Sequence, residues 1–502
     1  MSKKEILYLL LVLSAGATMG IFGLIFFPKI PVNSDAISYF TAARNLLGGK
    51  GLVISLSTPT MAYFMGVPHP DYHMPGWPLL LAGFMWLTKT GPCTPIILNI
   101  ALALGSSALA YFTLLLWSDS EKAFWGALLF MLFPSIMVYQ FTGMAEMPLL
   151  FWLMLSVFTA SLPRAGRTIA LLIGIGIILI FAYATRETAL FFLPLILSLL
   201  RERGARWSTL TILTLIILAA SLILSYLYYS LWPGFSETSY VFNQHGILFK
   251  TGTITPEHNP MWNVVRPEDF PKLSLPELFW LLLKKPLRLL LILPRNKSWE
   301  TIAADVWTLG AIILAPIIVK GWKMRLGLGF LVLIVPAMFT LYYPKTDYLM
   351  RIGLVFGSVA VVFIAARLRL TRISRFLICM ALACELTIGA LCSWNLQKTS
   401  REGLRKMQEI YPVLKENLPP DARIVGIRGF SLELLPVYEP DIYTVLYPDR
   451  AEHARMLSER IGTDALVFAS GQKPYPGLED EGWYTKALTA GGDSLFICTK
   501  RE

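Results

Sequence analysis

The sequence predicts a polytopic α-helical membrane protein with a small α/β domain at its C-terminus, and three observations lead there. The chain has 502 residues, of which 55% are hydrophobic and only 15% charged, with a mean hydropathy of +0.57. A soluble protein of that size needs far more polar surface to cover its core. Apolar runs long enough to cross about 30 Å of hydrocarbon recur from Ile6 to Trp394. Beyond Asn395 the character changes to short mixed segments of helical and strand pattern.

The first element is the apolar run Ile6–Phe27 behind Lys3 and Lys4. Ala15-Gly16-Ala17 faintly resembles a signal-peptidase site, but the run continues to Phe27, so an uncleaved first span is expected. Further spans are expected at 95–117, 123–140, 147–162, 168–184, 188–200, 208–231, 302–319, 326–343, 351–366 and 376–395, about eleven in all. The segment 76–88 is short for a crossing, and 276–294 carries Lys284, Lys285 and Arg288 in its middle, where charge is expensive. Both are read as interfacial helices.

With the N-terminus in the cytoplasm, the inner loops contain Arg164 and Arg167, Arg201–Arg206, Lys320–Arg325 and Arg367–Arg375. All are basic, as the positive-inside rule requires. Loops 28–94, 141–146, 185–187, 232–301 and 344–350 then lie outside, with everything after Asn395. The expected setting is the plasma (inner) membrane, crossed many times, with the C-terminal domain extracytoplasmic. The domains are expected to be 1–395, embedded, and 396–502, soluble.

In the tail, Arg401–Asn417 reads as a polar helix ahead of Pro419-Pro420. Arg423–Ile427, Asp441–Leu446 and Ala465–Ala469 read as strands, with a helix at Ala451–Ile461. No GxGxxG follows a strand, so dinucleotide binding has no support. The net charge of +11 sits in short loops rather than in a basic stripe interleaved with aromatics, which argues against a nucleic-acid partner. The five cysteines form no CxxC pair, and a disulfide framework or zinc site is not expected.

The chemistry is expected on the outer side. Asp35, in Asn33-Ser34-Asp35-Ala36, lies at the N-terminus of a helix that Gly48-Gly49-Lys50-Gly51 ends. There a carboxylate is favoured either as a plain cap or as a catalyst, and the local pattern leaves both readings open. His69-Pro70-Asp71-Tyr72-His73 has the residue types of a metal site but no further ligand at a recognisable spacing; it reads as a polar interfacial loop, with Trp77 as its anchor. Glu146, Arg186, Glu187, Lys345, Asp347 and Arg351 gather at outer span ends. Each alone could snorkel or cap, but ionisable residues converging at membrane depth mark a site.

This arrangement resembles the GT-C membrane glycosyltransferases, in the branch of protein O-mannosyltransferases and lipid A aminoarabinose transferases (glycosyltransferase family 39-like). The resemblance rests on Asp35-x-x-x-Tyr39-x-x-x-Ala43 after the first span and on Met74-Pro75-Gly76-Trp77-Pro78-Leu79. It continues in Glu146-Met147-Pro148-Leu149-Leu150 and in Thr185-Arg186-Glu187-Thr188-Ala189 with Leu193-Pro194 downstream. It extends by layout over 1–395.

The resemblance implies transfer of a sugar from a polyprenyl-phosphate donor to a lipid, glycan or protein acceptor, with inversion at the anomeric centre. Under it, Asp35 is the general base, and Glu146 orients the acceptor or shares a divalent metal ion. Arg186, Arg351 and Lys345 meet the departing lipid phosphate, while Tyr39, Tyr72 and Glu187 touch substrate. A transporter or flippase would need charges at mid-membrane and inverted repeats, and neither stands out. A polysaccharide ligase or a non-catalytic assembly protein are the remaining alternatives.

Overall fold

The computed structural model describes the chain apart from residues 32, 72, 252, 282–283, 285–298, 320, 342–347, 427–431, 440, 447–450, 469–473, 475–477, 479–482, 491–492 and 501–502. It is mostly helical. Helix α1 (Lys3–Phe26) opens on a capping box in which Ser2 and Glu5 satisfy each other's backbone N–H. The first loop holds α2 (Ser34–Leu47), the two-residue strand β1 (Leu56–Ser57), α3 (Pro59–Met65) and α4 (Gly76–Thr88). The helical body continues through α5 (Thr94–Trp117), α6 (Ser120–Met131), α7 (Pro134–Tyr139), α8 (Glu146–Ser161) and α9 (Ile169–Thr185). Then come α10 (Leu193–Glu202), α11 (Trp207–Tyr229), α12 (Phe235–Thr251), α13 (Trp299–Ile318), α14 (Trp322–Leu341) and α15 (Tyr348–Arg367).

Each expected span has a helical counterpart, but two are broken. Residues 123–140 divide into α6 and α7 because Pro134 supplies no N–H for the preceding turn and holds Phe133 extended. Residues 188–200 begin as a 3-10 turn (Glu187–Phe192) and become α-helical only where Pro194 sits in the first turn of α10. Among the described residues, five helices are long and apolar enough to cross a membrane: α1, α5, α11, α13 and the long helix Arg372–Asn417. Their outward faces carry side chains such as Ile25, Leu222 and Ile317, as a helix apolar all round does when lipid is its solvent. The protein is integral to a membrane.

Helix α16 (Arg372–Asn417) is a single 46-residue helix. The expected end of the last span at 395 and the separate polar helix at 401 are therefore one element, and the boundary expected between 395 and 396 falls inside it. At 1.5 Å per residue it is about 70 Å long, against about 30 Å of hydrocarbon, so its polar end stands clear of the bilayer. There Met407, Ile410 and Leu414 enter a core with Ile424, Leu435 and Val467.

Beyond α16 lie β2 (Arg423–Gly426), α17 (Leu435–Tyr438), β3 (Tyr443–Leu446), α18 (Ala451–Ile461), β4 (Ala465–Phe468), β5 (Trp483–Ala490) and β6 (Asp493–Lys500). The strand order is β1-β3-β2-β4-β6-β5. The strands β2, β3 and β4 pair in parallel, and β5–β6 is an antiparallel hairpin laid on β4. The three expected strands are present, each short and apolar as strands covered on both faces are. The edge strand β1 comes from the first loop: Leu56 pairs with Thr444 and Ser57 with Val445. Ile37, Tyr39 and Trp77 of that loop share a core with Ile424 and Val467, so the first loop and the tail are packed as one body.

Helix α4 does not lie at the surface by its tryptophan. Trp77 is fully buried and donates its indole N–H to the Gly143 carbonyl at 3.0 Å, which corrects its reading as an interfacial anchor. The neighbouring Gly76 has no room for a side chain, since a Cβ there would stand 2.5 Å from the Ala184 carbonyl oxygen. That backbone leads directly into Arg186. Gly76→Val is expected to cost about 1–3 kcal/mol through overpacking. Thermal unfolding in detergent would reveal it, and an unchanged Tm would contradict the close approach. The segment expected as an interfacial helix at 276–294 lies mostly outside the described residues.

Candidate active site

The site begins with a cap. Asn33 is the N-cap of α2, and its side-chain oxygen accepts the Asp35 backbone N–H at 3.0 Å. Asn33 thus does the work that one reading assigned to Asp35. The Asp35 carboxylate turns instead to Arg351 at the start of α15, with Nη2 donating to Oδ2 at 2.8 Å.

Arg351, 6% exposed, also donates from Nε to Glu146 Oε1 at 2.6 Å. Arg186, at the C-terminal end of α9, donates from Nη1 to the same oxygen at 2.7 Å. Two guanidiniums that would repel one another in a site of low dielectric are held together by one shared carboxylate oxygen. Two carboxylates and two arginines balance in charge. Burying such a group is no efficient way to gain stability, because desolvation offsets much of the attraction. What it secures is the placement of two cations beside Asp35.

Asp35, Arg186 and Arg351 border a cavity of about 390 Å³. Its polar wall is Asp35, Asp71, His73, Arg186, Glu187 and Arg351, and Tyr229, Phe235, Phe242, Met261 and Leu446 contribute rings and apolar surface. Tyr229 donates to Glu187 Oε1 at 2.6 Å, which orients that carboxylate along the wall. Leu446 ends β3, so the C-terminal sheet reaches the cavity.

His69, Pro70 and Asp71 are buried and His73 is half-buried, contrary to the reading of this stretch as a polar interfacial loop, and two features explain this. Ile54 donates its N–H to the His69 carbonyl at 2.8 Å, and the His69 ring is clamped between the Ser57 hydroxyl (2.6 Å to Nε2) and the Pro70 carbonyl (2.6 Å to Nδ1). A ring donating from Nδ1 and accepting at Nε2 is the neutral tautomer. Burial, against the Pro70 carbonyl and the Asp71 charge, holds the His69 imidazole below its ordinary value. His73 differs. Burial pushes its imidazolium down, but the Asp71 charge and hydrogen bond, with help from Asp35, outweigh burial and Arg186 and raise it above the ordinary histidine value. His73 Nδ1 lies 2.9 Å from Asp71 Oδ1, an ion pair when the ring is protonated.

Of the residues expected from sequence, Asp35, Arg186, Glu187 and Arg351 meet at the cavity. Glu146 is not among the residues lining the cavity: it is 3% exposed and accepts from both arginines. Tyr39 is 1% exposed and faces the core, its ring edge-on to His73 at 5.4 Å. It does not line the cavity, since α2 packs that face toward α4. Tyr72 and Lys345, and Asp347 beside it, lie outside the described residues. Sequence reasoning discounted Asp71 and His73 and missed Tyr229. The crowding of histidine and aspartate between prolines was the available signal for the first two, whereas a tyrosine at the end of an apolar span gave none.

A divalent metal does not fit the described residues of the site. The two carboxylates that would bind it are each engaged by arginine, and no group of three or more His, Cys, Asp or Glu side chains able to hold an ion occurs among the described residues.

No family model matches the sequence, and no curated protein matches it either. Among solved structures, the chain is similar to ArnT from Cupriavidus metallidurans bound to undecaprenyl phosphate, at 11% identity over 97% of each chain with a TM-score of 0.49. It is also similar to the apo Archaeoglobus fulgidus oligosaccharyltransferase, at 12% identity over 92% of this chain and 69% of that one, with a TM-score of 0.49. Likeness of this degree concerns the path of the chain and carries no argument about its reaction.

Proposed function

We propose that the chain is a membrane glycosyltransferase that moves a sugar from a polyprenyl-phosphate donor to a hydroxyl of a lipid, glycan or protein acceptor on the outer side of the membrane. The observation that carries this reading is the placement of Asp35 beside Arg186 and Arg351 on one cavity wall, at the ends of apolar helices. A lipid phosphate arriving from the bilayer meets two cations. A hydroxyl arriving beside it meets a carboxylate.

In this mechanism the acceptor oxygen attacks the anomeric carbon while Asp35 takes its proton, and the bond from that carbon to the phosphate oxygen breaks. The phosphate leaves with the electron pair and is met by the guanidiniums, whose planar forks match its oxygens. A single displacement of this kind inverts the anomeric centre. Before the donor arrives, Arg351 holds the Asp35 carboxylate. A bound phosphate competes for that arginine and leaves the carboxylate the stronger base, so donor binding precedes proton transfer.

The reading is tested by reconstituting the purified protein in liposomes with polyprenyl-phosphate-linked hexoses and pentoses carrying a radiolabelled sugar, together with an envelope lipid and glycan extract. Label is expected to leave at least one donor for an acceptor in a protein-dependent manner. A protein that neither binds polyprenyl phosphate nor moves label from any donor would end the proposal.

A further inference from the structure

Asp71 is fixed more firmly than a loop residue needs to be. Its Oδ1 accepts both the backbone N–H of His73 at 3.1 Å and the His73 ring at 2.9 Å, and its own carbonyl accepts the Tyr228 hydroxyl at 3.0 Å. The preceding residues are tied to β1 through the Ser57–His69 contact. Asp71 is 4% exposed, lines the cavity, and its second carboxylate oxygen, Oδ2, is buried without a hydrogen-bond partner. A buried charged acceptor left unmatched is costly, so in a residue that borders the cavity it points to a donor on a ligand.

Resting on the transferase reading, we infer that Asp71 is a sugar-binding residue whose Oδ2 accepts a hydroxyl of the donor's sugar. The chemistry of the wall selects that partner. A phosphate is repelled by the carboxylate and is drawn instead to Arg186 and Arg351. A cationic ligand group would compete with the His73 ring, whose Nδ1 already lies 2.9 Å from Asp71 Oδ1. A neutral hydroxyl provides the single donor required. The cavity wall therefore offers two chemistries, arginines for the lipid phosphate and the Asp71 carboxylate for the polyol. A site built to pair a substrate hydroxyl discriminates strongly against the analogue lacking it.

The test measures binding, with undecaprenyl phosphate and its mannosyl, glucosyl and arabinosyl derivatives as probes of the full chain in detergent. The wild type is expected to bind at least one glycosylated probe more tightly than the bare lipid phosphate. In Asp71→Ala that advantage should fall by roughly tenfold to a hundredfold, the weight of a hydrogen bond to a charged group, while affinity for the bare lipid phosphate stays within about twofold because the arginines hold it. An advantage retained in the variant would overturn the assignment, as would a wild type that binds no glycosylated probe better than the bare one. A second measurement needs no variant to fold. When hydroxyls are removed singly from the preferred probe, one deoxy position must cost the wild type roughly tenfold or more, and if none does the inference fails. A wild type that binds no polyprenyl phosphate at all would remove the transferase reading itself, and this inference with it.

Discussion

Asp35→Asn is expected to leave the protein folded and to lower sugar transfer by about 10²–10⁴-fold, the range that a positioned general base contributes. The substitution is close to isosteric, and its amide oxygen still accepts from Arg351, which stands 2.8 Å from the native carboxylate. The cap of α2 is untouched, because Asn33 provides it. Proton affinity is what changes, since an amide cannot take up the acceptor's proton as attack proceeds. Initial rates in proteoliposomes, read beside Tm and donor affinity, separate the effects. Transfer near the wild-type rate by a stably folded variant would take the base away from Asp35. Loss of donor affinity equal to the loss of rate would make Asp35 a binding group instead.

Arg351→Ala should have the largest effect on stability. The side chain is nearly enclosed and bonds both Asp35 and Glu146. Without it two carboxylates share one remaining guanidinium, and breaking a buried ion pair from one side costs about 3–5 kcal/mol. Donor binding should weaken more than acceptor binding, because the lost group faces the phosphate. Arg351→Lys keeps the charge but cannot reach both carboxylates with a planar fork, so an intermediate loss is expected. Thermal unfolding in detergent and titration with polyprenyl phosphate report on the two roles. A variant with unimpaired phosphate affinity would place the phosphate elsewhere in the cavity.

Much of this was legible in the sequence because lipid imposes strong rules on composition. The apolar runs gave the helices, and the clustering of charge at one set of span ends singled out Asp35, Glu146, Arg186 and Arg351. These were named one by one, and the fold brings them within hydrogen-bonding distance of one another. What the sequence hid was depth. Glu146 and Tyr39 carry the same residue types whether they face a cavity or the core behind it, and only the packing of α8 against α9 and of α2 against α4 decides. The role of 69–73 was hidden for another reason. The burial of His69 is tied to β1, two residues long, whose pairing partner in β3 is remote in sequence and leaves no local periodicity.

The pairing of β1 with β3 has a consequence for biogenesis. Arg44, in the same loop, donates to the carbonyls of Pro436 and Val437, the latter 393 positions further along the chain. At about 5–20 residues per second of synthesis, the first loop leaves the ribosome roughly 20–80 s before its partner exists. During that interval β1 is an unpaired strand edge, and the cavity lacks the wall that Leu446 provides. The nascent protein can therefore insert most of its helices before it possesses a complete site. Under the transferase reading, the site is complete only once the last domain has joined it.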